Sequence, residues 1–205
     1  LGIVGVAVGM ALYGLKPVAE IQFIDFVYEA LDQLLSEAAK IRRRTGGMYS
    51  APIVVRGPCC GGVRGGMFHS QSPESYFIHT AGLITMMPST PYDAKGLLKS
   101  ALRAEDPVVF LEPKILYRTV REEVPEEDYV VPIGKARLVK EGSDVTVVTW
   151  GAMVYQALEA AKLVEARHGW DVEIIDLRTL FPFDKDAILE SVEKTGRLMV
   201  VHEAP

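Results

Sequence analysis

The strongest constraint on the fold is an alternation. Ile53–Val55, Leu83–Met87 and Val108–Leu111 read as short apolar strands, with a helix at Glu74–His79 opened by Pro73 and another at Tyr92–Arg103. A second series runs Asp144–Thr149, Val154–Arg167, Val172–Asp176, Asp184–Lys194 and Leu198–His202 as strand, helix, strand, helix, strand. Apolar runs without polar alternation belong to strands covered on both faces, and strand–helix–strand succession builds a parallel sheet. The predicted class is therefore α/β, the second series forming half of a doubly wound domain.

Upstream, residues 1–15 carry no charge and place glycines at 2, 5, 9 and 14. Glycines four apart, such as Gly5 and Gly9, let another backbone approach one helix face, which predicts a tightly packed, buried helix. The stretch lacks the basic flank of a targeting signal and the length of a membrane span. Pro17 opens VAEIQF as a strand. Asp25 stands where it would cap a helix whose apolar positions Phe26, Ala30, Leu31, Leu34, Leu35 and Ala38 recur until Gly46. From Glu112 to Glu141, prolines and clustered charges break the period, as in a linker. The expected division is 1–115, a linker at 116–140, and 141–205, in a chain whose abrupt start and stop imply that both ends are missing.

Twenty-seven acidic against twenty-two basic residues give a net charge of −5, which argues against nucleic-acid backbone binding. The two cysteines, Cys59 and Cys60, are adjacent. That spacing excludes a staple across the fold and a zinc knuckle, and points to a reducing, cytoplasmic compartment.

The stretch with chemistry is Arg56–Glu74, RGPCCGGVRGGMFHSQSPE. It follows a strand, lacks a regular period and delivers His69 in irregular backbone, where an imidazole can take or give a proton. A mobile surface loop is the competing reading. The glycines match neither the P-loop nor the dinucleotide fingerprint, and Ser70 or Ser72 beside His69 lacks the nucleophile elbow of a hydrolase. Gln22 offers hydrogen bonds to a planar ligand edge and Phe26 a stacking surface, the alternative being an ordinary edge glutamine and a core phenylalanine. His79 reads as interior or helix-surface, His168 as a helix C-terminus, and His202 as core-lining.

The segments AEIQF, DQLLSEAAKIRRRTGG, IVVRGP, GGVRGGMFHSQSPE, PSTPYDAKGLL, DPVVFLEPKILYR and EIIDLRTLFPFD, in that order, closely resemble the beta subunit of thiamine-diphosphate-dependent 2-oxo acid dehydrogenases. The resemblance implies a transketolase-like pyrimidine-binding domain, then part of a transketolase C-terminal-type domain. It implies an α2β2 heterotetramer in which the alpha subunit holds the diphosphate and magnesium. It also implies oxidative decarboxylation of a 2-oxo acid and reductive acylation of lipoyl on an acyltransferase partner. Gln22 and Phe26 fall on aminopyrimidine-pocket positions and His69 on the proton-transfer histidine. Ile53, Ala101, Ala104 and Asp106 fall on positions whose carbonyls hold a structural potassium. The activating glutamate would precede Leu1, so Glu20 does not replace it. HSQSPE, EIQF and EPKILYR look more like the branched-chain enzymes, which in eukaryotes would place the protein in the mitochondrial matrix. Pyruvate or acetoin dehydrogenase, a transketolase or deoxyxylulose-phosphate synthase fragment, and a flavodoxin-like binding module are the alternatives.

Overall fold

Two sheets are laid down one after the other, and the computed structural model describes them over residues 1–204. Helix α1 (Gly2–Leu12) leads to β1 (Val18–Glu20) and a helical stretch ending in α2 (Ala39–Arg44). Then come β2 (Val54–Cys59), α3 (Glu74–Ile78), β3 (Ile84–Met86), α4 (Pro91–Arg103), β4 (Val108–Pro113) and the short α5 (Leu116–Thr119). The second series is β5 (Arg137–Lys140), β6 (Val145–Thr149), α6 (Met153–His168), β7 (Val172–Asp176), β8 (Thr179–Phe181), α7 (Lys185–Thr195) and β9 (Leu198–Val200).

The first sheet has the order β1-β2-β4-β3-β8 and the second β5-β7-β6-β9. Pairings are parallel except at β8 and β5, which join antiparallel to β3 and β7. Central β2 and β4 pair from Val54↔Val108 to Cys59↔Pro113. Their alternate residues feed two cores. Val55, Val109 and Leu111 face α1 and the helical stretch, whereas Val54, Val108 and Phe110 face Leu97 and Ala101 of α4. Helix α4 starts where Thr90 accepts the Asp93 N–H at 3.1 Å with Pro91 in the first turn, the pairing of cap and proline that pre-sets a helix.

Several expectations are corrected here. The helix anticipated from Phe26 is three segments, a 3₁₀ turn at Ile24–Ala30, a π turn at Asp32–Ala38 and then α2. Tight and wide windings offset each other, so Ala30, Leu34, Ala38 and Ile41 still bury one face. Helix α1 buries only Val4, Ala7, Val8 and Ala11, while Ile3, Val6 and Met10 are exposed. Among the described residues no backbone approaches its glycines: Gly9 has no atom within 4 Å of a built Cβ and Gly5 only Gln33 Cγ at 3.8 Å. A helix apolar all round does not reveal which face its own chain covers.

The strand anticipated over VAEIQF stops at Glu20. The excursion after Glu112 contains α5 and β5, and Arg137–Lys140 joins the second sheet. Strand β8 went unread because its residues come from the second series yet pair with β3 of the first, Thr85 opposite Phe181 and Met86 opposite Thr179. A buried ionic network closes the same seam. Arg178 reaches Asp93 at 2.9 Å and Arg137 reaches Asp176 at 3.3 Å, while the Ser89 hydroxyl donates to Asp176.

Candidate active site

The candidate site lies beyond the carboxyl ends of the parallel strands, where open α/β sheets place ligands. Strand β2 continues past Val55 to Cys59, so the irregular backbone begins only at Cys60, in the left-handed region at φ 70°. Two glycines shape the approach for steric reasons. A Cβ on Gly57 would sit 2.8 Å from the Ile21 carbonyl oxygen, and one on Gly65 would sit 2.7 Å from His69 Cβ. The first lets β2 lie against the end of β1. The second lets the loop fold back on the histidine.

His69 is half-buried, with its Nδ1 3.1 Å from the Gly65 carbonyl. A carbonyl only accepts, so Nδ1 carries a proton in this contact and Nε2 is left free of it. Two rings fix the imidazole plane edge-on, Phe23 at 4.4 Å and Phe26 at 5.6 Å between centroids. The structure thus brings Phe26 and His69 together across the sequence. Gln22, next to Phe23 at the end of β1, is exposed and free of hydrogen bonds to the described residues.

The residue that seats this loop is Asp25. Rather than capping a helix, its buried carboxylate accepts the N–H groups of Ser70 at 3.2 Å and Gln71 at 3.1 Å. Its Oδ2 is buried without a partner among the described residues. An aspartate just before an apolar helical pattern gives the same sequence signal whether it caps its own helix or holds a distant loop. Phe23 was passed over as one more apolar residue.

The second series contributes from the opposite side. Trp150, after β6, donates its indole N–H to Glu74 at 3.4 Å and stacks on His202 at 5.4 Å. Glu203 accepts the Gly61 N–H at 2.7 Å. Burial raises the Glu74 carboxyl above its ordinary range. His202 is therefore an exposed junction residue beyond β9, not a core-lining strand residue. His79 is exposed at the end of α3, and His168 ends α6 before the left-handed cap Gly169.

The four residues expected to hold potassium lie at the opposite strand ends. The Ile53 carbonyl accepts the Val108 N–H at 2.9 Å and that of Ala101 the Ala104 N–H at 3.2 Å. The Ala104 carbonyl faces the Lys16 ammonium at 3.4 Å, and the Asp106 carboxylate pairs with Arg42 at 2.7 Å. On the α4 face of the first sheet, Arg56, Ser89, Lys95, Phe110, Glu112 and Tyr117 line a separate cavity of about 410 Å³. Arg56 Nε pairs there with Glu112 at 2.6 Å, and no residue of the irregular loop from Cys60 to Ser72 lines it.

Residues 1–120 match the family model described as Transketolase, pyrimidine binding domain, and residues 134–205 that of Transketolase, C-terminal domain. The chain is 53% identical over 201 residues to the 2-oxoisovalerate dehydrogenase subunit beta of Bacillus subtilis (strain 168), covering 98% of this chain and 61% of that protein. It is 51% identical over 205 residues to the mitochondrial 2-oxoisovalerate dehydrogenase subunit beta of Dictyostelium discoideum, covering 100% and 55%. The Pyruvate dehydrogenase E1 component subunit beta of Acholeplasma laidlawii is 54% identical over 202 residues, covering 98% and 62%. The chain thus spans roughly half to three-fifths of the length of these relatives. Among solved structures, a split-gene transketolase described as an inactive beta4 tetramer superposes with a TM-score of 0.79 at 25% identity, over 99% of this chain and 62% of that one. With the pyrimidine-binding model matching more than half its length, the chain belongs to the transketolase pyrimidine-binding domain family, followed in the same polypeptide by a transketolase C-terminal domain.

Proposed function

We propose that this chain is the catalytic part of the beta subunit of a 2-oxo acid dehydrogenase of the branched-chain type. In this reading it decarboxylates its substrate and passes the acyl group to lipoyl together with an alpha subunit in an α2β2 assembly. The observation that carries the reading is His69, held by Gly65, Phe23 and Phe26 with Nε2 available, in a chain about half identical to 2-oxoisovalerate dehydrogenase beta subunits. Residues 1–115 would form the pyrimidine-binding unit, 116–140 the crossing and 141–205 the C-terminal-type unit.

The exposed ring of Phe26 and the free amide of Gln22 suit a flat heteroaromatic with donor and acceptor edges, as an aminopyrimidine has. Thiamine diphosphate, when bound, supplies the electron sink for decarboxylation. This chain's own part is to orient the ring edge and to take or give a proton at His69 Nε2. The diphosphate and its magnesium are assigned to the alpha subunit. Among the described residues no three His, Cys, Asp or Glu side chains converge to compete for a metal.

His69→Ala in the reassembled enzyme is expected to lower acyl transfer to lipoyl by about 10²–10⁴-fold with assembly intact; unchanged transfer would favour a binding role for the loop. The pyruvate reading has its own support in the Acholeplasma laidlawii relative. The ratio of kcat/KM for 2-oxoisovalerate to that for pyruvate separates the two, since an added methyl or methylene in an apolar pocket is worth about 10–200-fold.

Potassium at Ile53, Ala101, Ala104 and Asp106 would share the Ala104 carbonyl with the Lys16 ammonium, which already brings a positive charge there. Potassium is expected to raise Tm little in the native chain and more in Lys16→Met, compared in potassium and sodium chloride. Equal shifts would place the ion elsewhere.

A further inference from the structure

The adjacent thiols are the one chemically active pair that the proposed reaction leaves unused. Cys59 and Cys60 are both buried, and their sulfurs stand 3.2 Å apart at the point where β2 gives way to the loop. The peptide between them is pinned from both sides: the Cys59 carbonyl accepts the Lys114 N–H at 3.0 Å, and the Cys60 N–H donates to the Gln71 carbonyl at 2.8 Å. Both side chains pack into the core beside Val55 and Leu111, and just beyond them the hydrogen bonds of residues 62–68 go only to His69 and Gln71 of the same loop. That segment can therefore move without breaking the sheet.

We propose that Cys59 and Cys60 form an oxidisable dithiol site, closed by a hydroperoxide to a vicinal disulfide, and that closure frees the loop carrying His69. A ring through two adjacent residues has eight members. Their Cα atoms, joined by a trans peptide, lie about 3.8 Å apart, below the roughly 4.4–6.8 Å that unstrained disulfides prefer. Closing the ring twists that peptide, so the Lys114 and Gln71 hydrogen bonds cannot both survive. The second of these ties Cys60 to Gln71, in the segment directly after His69 that Asp25 seats. The same strain makes the bond easily reduced, the property of a reversible disulfide rather than a structural one.

The chemistry balances with the peroxide as oxidant. A Cys60 thiolate attacks the outer peroxide oxygen, the O–O bond breaks, and the alkoxide leaves as alcohol after taking a proton. The Cys59 sulfur then attacks the sulfenic sulfur and expels water. Two thiols lose two electrons in all, and one hydroperoxide becomes an alcohol and water. Burial, then the neighbouring Cys60 and the carboxylates of Glu74 and Glu112, hold the Cys59 thiol well above its ordinary range, so Cys59 stays protonated in the first step.

The full-length protein, treated with hydrogen peroxide and digested with trypsin without reductant, is expected to yield the Gly57–Arg64 peptide lighter by two hydrogen atoms and resistant to iodoacetamide. Dithiothreitol should restore two alkylated cysteines. Two alkylated thiols after peroxide, sulfinic acid, or a link to another chain would overturn the site. Hydrogen exchange at the amides of Cys60, Ser70 and Gln71 is expected to rise at least about tenfold on oxidation, and unchanged exchange in oxidised protein would overturn the coupling to the loop. Cys60→Gly tolerates the φ of 70° and cannot form the ring, so its loop should not respond to peroxide; an equal response would also overturn the proposal. Neither readout uses turnover, so the result is independent of the assigned reaction.

Discussion

Asp25 shows how much one side chain can decide. Its carboxylate satisfies two loop amides at once, and carboxylate-to-amide bonds are among the stronger kind. Asp25→Ala strands two donors and is expected to cost about 1–3 kcal/mol, read as a lower denaturation midpoint together with faster exchange at Ser70 and Gln71. Loss of stability without faster exchange at those amides would mean that the residue supports the core rather than the loop. His69 was legible in the sequence because glycines and a proline leave it in irregular backbone. Asp25 was not, because an amphipathic pattern directly after it suggested a local partner. Phe23 escaped for a related reason, since its ring meets His69 only after β1 and the end of β2 are laid side by side.

Among the elements, those with strong local signals came out within a residue or two of expectation. Strand β7 spans Val172–Asp176 as read, and α4 starts at the proline after its Thr90 cap. The helical stretch after β1 kept its buried face and lost its uniform winding, since periodicity reports the face and only packing selects the turn. The exposed Ile3, Val6 and Met10 of helix α1 form an apolar face beside the glycines, which on the proposed reading meets another subunit. Val6→Lys with Met10→Lys should leave the stability of the chain within about 0.5 kcal/mol and weaken association with the alpha subunit. Unchanged sedimentation of the reassembled complex would place that subunit elsewhere.

At the scale of the molecule, β8 and the Asp93–Arg178–Arg137–Asp176 network bind the two series into one body. Burial raises the Asp176 carboxyl to about 6, partly offset by the Ser89 hydrogen bond and by Arg137. A carboxyl that holds its proton more tightly when folded stabilises the protein at low pH, and that contribution fades as pH rises from about 4 to 6. Wild-type stability relative to Asp176→Asn is thus expected to fall over that interval by about 1–3 kcal/mol, measured by urea unfolding at a series of pH values. A difference independent of pH would show that the carboxyl titrates normally. The sequence by itself determined what depends on near neighbours: the α/β class, the order of strands and helices, and the glycine-rich loop that presents His69. Tertiary structure alone decided which face of α1 is covered, which residues hold the loop, and that Thr179–Phe181 closes the edge of a sheet begun far earlier. These are contacts between segments distant in sequence, set by the shape of the packed sheets, and no local period or spacing encodes them.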